Sequence, residues 1–527
     1  MCLIICIVFS SWIMFKTFHA GQTGEVYVGS NNIFDFGHAV GIIRSFSLGS
    51  NTPFSSPFQA GLPFFYHFFF LFYVAIWEYT GIPLVWAMNI PSILAFTSLL
   101  VTIYFLPQLI FGQRKVVGWI ALLLSVTNPT LTWLEYLSRN GLSLKSAQSL
   151  LHIPSYLFAG PFDGSVISIF MTLNNYVNQR HLSFSLACCL LLLLWTQELA
   201  EAYKNKSLSV ACIGMIIGVC FGWNYAIAFL VAGIIFLYLV LKKKVNIAIY
   251  ICIYATVTAF IIFVPYLCYI KELHALLTVT AFANISNFVQ TPPTWSPIQY
   301  FTENLGVLPL FIILGYIFIK KIKRQLALLF LIFFLILCLA AIPGRRGFDQ
   351  KFLSFLIISM NCIAAVGIVT LFDQKKILTQ FIAISALIIL TISGFIDLVP
   401  IKNEFAYPLI DKKILPVISW IKKNTPKDSI FVSYADMIDP VVFAGRKNYF
   451  GFFGNLSWTD RSEYVNAIYQ GDMDIIQQLH ISYILVPKWK KNDFPYTIDV
   501  VKLKLLYSIA YEDDRYLVFH VRSPVVQ

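Results

Sequence analysis

The chain of 527 residues is 58% hydrophobic and only 12% charged, with a mean hydropathy of +0.74. Soluble domains carry charge on about a quarter of their residues, so a soluble enzyme or binding module is excluded and a polytopic α-helical membrane protein is implied. The formal charge of +12 does not call for nucleic acid, because the cations fall in short clusters between apolar runs, where membrane orientation accounts for them.

In chain order, apolar runs of the roughly 20 residues that cross a bilayer occur at 2–17, 62–81, 84–111, 116–131, 182–199, 207–222, 224–241, 246–270, 305–320, 325–342, 352–372 and 377–400. The first is read as a retained span, with a cleaved signal as the alternative, because it lacks a basic start and a small-residue cleavage site. Lys204/Lys206, Lys242-Lys243-Lys244, Lys320-Lys321-Ile322-Lys323-Arg324 and Lys375-Lys376 alternate with weakly charged loops. The positive-inside tendency assigns these four clusters to the cytoplasm, most simply that of a prokaryote. The loop 17–61, the stretch near Arg180, the loops 271–304 and 343–351, and everything after about 401 then lie on the extracytoplasmic side. One crossing is missing between 132 and 181, and 146–162 or 166–177 is expected to supply it, giving 12 or 13 spans. Gln113-Arg114-Lys115 then falls outside, against the rule. All ten cysteines lie in or beside apolar segments; they show no disulfide or metal-ligand spacing and read as small core residues.

After Pro400 the composition turns polar, with Lys412, Lys413, Lys422, Lys423, Asp428, Asp436, Asp439 and Glu512-Asp513-Asp514. A helical pattern at 415–423 precedes a strand at 429–433. A helix near 472–480 leads to a strand at 481–487, and 515–521 reads as a last strand. The division expected is a membrane domain over 1–400 and a small soluble α/β domain over 401–527. It has no Gly-rich phosphate loop, and the chain has no fixed-period repeat.

The ionisable groups that stand out are Asp35, His38 and Arg44 in the first loop, Asn31-Asn32-Ile33-Phe34-Asp35-Phe36-Gly37-His38-Ala39-Val40-Gly41-Ile42-Ile43-Arg44. At i, i+3 and i+9 they are expected to share one face of a short helix. Polar groups held at a membrane boundary mark a site acting on something that itself lies there. The loop continues Ser45-Phe46-Ser47, passes a Pro-rich stretch around Pro53 and Pro57, and reaches Tyr66-His67 at the start of the next apolar run.

An early loop acid, an Ile-Arg-Ser-Phe helix, a Pro-rich stretch and a Tyr-His-Phe entry together resemble the first extracytoplasmic loop of the GT-C glycosyltransferases, the protein mannosyltransferase and aminoarabinose transferase-like enzymes. The layout of about a dozen spans followed by a soluble domain is similar too. The resemblance implies transfer of a sugar from a polyprenyl-phosphate carrier to a glycolipid, a cell-envelope glycan or a protein. It gives Asp35 the role of general base toward the acceptor hydroxyl, with His38 beside it in the catalytic set. Fixed cations for the leaving phosphate would be Arg345 and Arg346 with Lys351 behind them, and Arg44; Asn178, Arg180 and His181 would bind sugar hydroxyls or phosphate. The family's pair of acids flanking one position is absent, since Phe36 and Gly37 follow Asp35; a divalent metal is therefore not supported.

Two other classes stay open. A transporter or flippase for a lipid-linked or anionic solute would place ionisable residues within spans near the midplane, whereas here they collect in loops on one side. A non-catalytic assembly protein would use Ala444-Gly445-Arg446-Lys447 as its partner contact.

Overall fold

The computed structural model describes residues 1–51, 54–62, 67–160, 162–201, 207–264, 297–320, 324–340, 350–434, 436–452, 461–489 and 496–521. The chain forms two compact units. One holds Met1–Thr17, Asn89–Val264 and the described residues from 297 to 405; the other holds Phe18–Met88 and the described residues from 406 onward. The expected division at residue 400 therefore changes in one respect: the first loop packs with the C-terminal domain.

The chain begins with α1 (Cys2–Thr17) and passes through β1 (Phe18–Ala20), β2 (Val26–Gly29), α2 (Ile33–Ser47) and α3 (Phe69–Tyr79). It then makes α4 (Leu84–Phe111), α5 (Lys115–Val126), α6 (Thr132–Asn140), α7 (Leu144–Leu150), α8 (Asn174–Asn178), α9 (Arg180–Glu201), α10 (Ser207–Leu241) and α11 (Val245–Phe263). After the next described residue come α12 (Pro297–Leu305), α13 (Leu308–Phe318), α14 (Arg324–Ala340), α15 (Gln350–Asp373) and α16 (Ile377–Asn403). Among the described residues, α4, α9, α10, α11, α15 and α16 are each long and apolar enough to cross a membrane, and α12 and α13 form a pair bent by 77°. The protein is a multi-pass membrane protein.

In α10 the run is broken at Asn224, whose backbone is extended (φ −164°, ψ 101°) and whose Oδ1 accepts the Ile227 amide at 3.2 Å to start a new segment. A side chain on Gly214 would come within 2.6 Å of the Ile251 carbonyl, and one on Gly218 within 2.6 Å of Thr258 Cβ. The two contacts advance together, so residues 207–223 run parallel to α11 in backbone contact that only glycine permits. Residues 225–241, which link the two in sequence, then run in the opposite direction.

Two sequence expectations fail here and cancel. Among the described residues the run at 62–81 yields an α3 of only 11 residues, and between 127 and 179 no helix exceeds the 9 residues of α6, so neither 146–162 nor 166–177 forms a helix long enough to cross. Turn formers at Gly141, Pro154, Gly160 and Gly164 cut that stretch short. With both crossings removed, the orientation conflict disappears: Arg114 is ion-paired with Asp373, next to Lys375-Lys376. The Gln113-Arg114-Lys115 cluster thus shares one end of the helical unit with a second basic cluster, as the charge rule requires.

In the second unit β1, β2 and β3 (Ala406–Ile410) form an antiparallel sheet that joins the first loop to the start of the C-terminal domain. The domain continues with α17 (Leu415–Asn424), β4 (Ile430–Val432), α18 (Pro440–Phe443), β5 (Lys447–Asn448), α19 (Ser462–Tyr469), α20 (Met473–Gln478), β6 (Tyr483–Pro487), α21 (Val500–Leu506), β7 (Ser508–Glu512) and β8 (Tyr516–His520). Its sheet has the order β5-β4-β6-β8-β7, parallel across the first three strands and antiparallel beyond. Val432, Ile484 and Phe519 from the strands pack with Val465, Ile468 and Leu503 from the helices in one core. The strands and helices expected at 415–423, 429–433, 472–480, 481–487 and 515–521 all form.

Candidate active site

Helix α2 buries Phe36, Val40 and Ile43, spaced i, i+4 and i+7, together with Gly37 and Gly41. This stripe turns Asp35 and His38, both half-buried and one turn apart, to the other side. Asp35 stands in the first turn, at the positive end of the helix dipole. Below it Phe36 stacks on Phe18 with ring centroids 4.8 Å apart, and His38 stacks on Phe58 at 5.3 Å.

Arg44 does not join them. Nine residues advance an α-helix by about two and a half turns, which puts Arg44 on the opposite face. There its Nε donates to Glu78 Oε1 at 3.3 Å and its Nη1 to the Phe443 carbonyl at 2.8 Å, while Ser47 Oγ donates to Glu78 Oε2 at 2.5 Å. The expected phosphate ligand is a brace that ties α2 to α3 and α18.

The end of α2 is fixed equally firmly. Asn51 Nδ2 donates to Ser45 Oγ and to the Ser55 carbonyl, both at 3.0 Å, and Asn51 Oδ1 accepts the Ser55 amide at 3.1 Å. A Cβ at Gly49 would lie 2.2 Å from the Gly445 carbonyl oxygen and 2.6 Å from that of Ser45, both main-chain atoms that cannot swing away. Gly49→Ala is expected to cost about 1–3 kcal/mol, read as a lower melting temperature of the purified protein.

Arg446, expected at a partner surface, is 1% exposed. It donates to Thr425 Oγ1 (2.9 Å) and to the carbonyls of Leu48 (3.1 Å), Ala444 (3.2 Å), Ile421 (3.4 Å), Lys422 (3.0 Å) and Thr425 (2.8 Å). It caps the C-terminus of α17, where a cation is favoured, and clips that helix to the end of α2. Lys447 donates to Ser55 Oγ at 2.8 Å. The 444–447 segment is interior, not a docking surface.

Asp439 caps α18 through the Val441 amide (2.9 Å) and accepts from Ser433 Oγ (2.9 Å) and from Asn448 Nδ2. Burial outweighs these donors and pushes its carboxyl up to about 7. A carboxyl raised in the folded state binds its proton more tightly there than in the unfolded chain, so the folded state is favoured at low pH and loses that advantage as pH rises from about 4 to about 7. Asp439→Asn is expected to flatten that part of the stability profile, as measured by denaturation of the purified protein at a series of pH values.

Burial pushes the His38 imidazole down to about 4, so near neutral pH it carries no charge and has no proton to give as an imidazolium. His38→Phe preserves the stacking on Phe58. It is expected to lower turnover less than about tenfold, short of the 100-fold or more that a lost acid or base costs, and to leave the pH–rate profile between pH 5 and 8 unaltered.

In the helical unit, Asn178, Arg180 and His181 meet at the junction of α8 and α9, but Arg180 and His181 are buried instead of facing out. Arg180 donates from Nε to the Val177 carbonyl (3.4 Å), from Nη1 to Asn89 Oδ1 (2.5 Å), and from Nη2 to the Met14 carbonyl (3.1 Å) and Thr17 Oγ1 (3.2 Å). It pins the end of α1 and the start of α4 to α9. Lys351 lies over the Tyr225 ring at 5.9 Å. Arg345 and Arg346 lie outside the described residues. Nearby, Ser125, Thr127, Thr172, Ser354 and Asn361, which no sequence pattern singled out, line a small cavity together with Tyr176 and the apolar side chains of Pro129, Phe170, Met171, Ile357 and Ile358. Asn175 Nδ2 donates to Ser354 Oγ at 2.8 Å, and Asn128 Nδ2 to Asp397 Oδ2 at 2.7 Å. Amides and hydroxyls inside spans are the available signal for such a lining.

Among the described residues no three His, Cys, Asp or Glu side chains gather as metal ligands.

No family model and no curated protein matches the sequence. Solved structures do match. The oligosaccharyltransferase of Archaeoglobus fulgidus, tethered to an acceptor peptide with the NVT sequon, aligns at a TM-score of 0.50 and 12% identity over 92% of this chain and 69% of that one. ArnT from Cupriavidus metallidurans in the apo state aligns at 0.50 and 12% identity over 98% and 96%. At such identity the likeness is one of fold. The chain shares the fold of these two proteins along nearly its whole length.

Proposed function

We propose that the protein is an integral membrane glycosyltransferase that moves a sugar from a polyprenyl-phosphate carrier to an extracytoplasmic glycolipid, cell-envelope glycan or protein. The observation that carries this reading is the place of Asp35: a half-buried carboxylate at the start of a braced helix, in the first loop of a GT-C-like chain. Asp35 takes the proton of the acceptor hydroxyl as that oxygen bonds to the anomeric carbon. The bond from that carbon to the phosphate oxygen breaks, and polyprenyl phosphate leaves with the electron pair. Its charge needs fixed cations; Arg345, Arg346 and Lys351 are assigned that task, and the Asn178 amide that of a sugar hydroxyl partner. Arg44 and Arg180 serve as braces.

Sidedness follows from charge. If α1, α4, α5, α9, both segments of α10, α11, the α12–α13 pair, α14, α15 and α16 are taken as the crossings, the basic clusters at 113–115, 204–206, 242–244, 320–324 and 375–376 lie in the cytoplasm, and Arg345-Arg346, the first loop and the C-terminal domain lie outside. An observation that favours a transporter instead is the break at Asn224, since interrupted spans often form solute sites. Incubation of the purified protein with radiolabelled polyprenyl-phosphate sugars and an envelope extract tests the proposal. Label leaving the carrier for an acceptor supports it; label that stays on the carrier with every sugar and acceptor tried counts against it.

A further inference from the structure

We infer that α6 and α7 form an interfacial hairpin that rests in the headgroup and upper acyl layer of the bilayer. The hairpin is rigid: Tyr136 donates its hydroxyl hydrogen toward the Ser146 carbonyl at 2.8 Å and lies 2.6 Å from Ser149 Oγ, and Ser143 Oγ caps α7 by accepting the Ser146 amide at 3.1 Å. At its tip and far end Leu142, Leu144 and Leu151 are 91%, 78% and 61% exposed. Three leucines held out by an ordered scaffold make an apolar surface that water does not favour.

What covers them follows from where the hairpin is tied. Asn403 Nδ2 donates to the Leu151 and Ile153 carbonyls at 2.7 and 3.2 Å. Asn403 ends the 27-residue α16, about 40 Å long at 1.5 Å per residue. Hydrocarbon accounts for only about 30 Å of a bilayer, so a helix of that length carries its last turn into the headgroups. On its other side the Leu131 amide donates to the Glu303 carbonyl at 2.8 Å, just before α12 bends into α13. The hairpin is thus continuous with the ends of the lipid-facing spans. Lys145 and His152 are exposed beside the leucines, and a long cationic chain next to buried leucines can reach up to phosphates.

The test reconstitutes the full chain in phosphatidylcholine vesicles carrying photoactivatable lipids, with the diazirine either near the glycerol or at the acyl terminus, and maps labelled peptides by mass spectrometry. The shallow probe is expected to label residues 142–151 several-fold more than the terminal probe, which labels the spans. The variant Leu142→Ser/Leu144→Ser should lose most of that labelling while its spans label normally, which also reports that it has folded. Equal or stronger labelling by the terminal probe overturns the shallow placement. No labelling, with oxidation of these leucines by aqueous hydroxyl radicals, places the hairpin in water and overturns the inference; so does shielding from both probes accompanied by cross-linking of two copies through this segment.

Discussion

Asp35→Asn is expected to lower transfer by about 100- to 10,000-fold, with donor affinity and melting temperature close to those of the unsubstituted protein. The amide keeps the size and the place of the side chain in the first turn of α2 but cannot accept a proton from the acceptor. The loss should fall on kcat, because a base acts in the transition state and contributes little to ground-state binding. Steady-state rates with a saturating donor, together with donor binding measured separately, check this. A variant that transfers at the original rate removes Asp35 from the chemistry.

The second large effect is structural. Arg446→Ala is expected to destabilise the C-terminal unit by about 3–5 kcal/mol, because it strands several buried carbonyls, each costing on the order of 1–3 kcal/mol when unpaired and partly relaxing. Those carbonyls belong to Ile421, Lys422 and Thr425 at the end of α17 and to Leu48 just beyond α2. The helix that carries Asp35 is thereby loosened as well. Arg446→Lys should recover little, since one ammonium cannot span acceptors that a planar guanidinium reaches on three sides. Thermal unfolding and limited proteolysis of the purified variants report the loss, and activity should fall with the folded fraction.

Much of the protein was legible in composition and periodicity. Apolar runs gave the spans, and alternation beyond Pro400 gave the strands of the C-terminal sheet, because both signals are local. The failures have local causes too. The run at 62–81 has the composition of a span, yet α3 covers only Phe69–Tyr79; hydropathy registers apolar residues without knowing whether lipid or protein buries them. The sheet of β1, β2 and β3 pairs Val28 with Tyr407, a contact between short strands so far apart in sequence that no pattern announces it. That pairing is why the first loop belongs with the C-terminal domain. In the candidate site, Asp35 was singled out because an acid stood out in an apolar context, and its role is the one proposed above. The partners of Arg44, Arg180 and Arg446 were not legible, since a sequence shows a charge but not the carbonyls and amides that consume its donors.

The two functional readings part over one bond. In sealed vesicles containing the protein, a polyprenyl-phosphate sugar labelled in both sugar and phosphate is supplied on the face that carries the C-terminal domain, with an acceptor, and both labels are followed. Separation of the labels, with sugar on the acceptor and phosphate on the lipid, abolished by Asp35→Asn, is the expected result. Labels that stay together on the carrier while it passes to the other leaflet contradict a glycosyltransferase and identify a transporter.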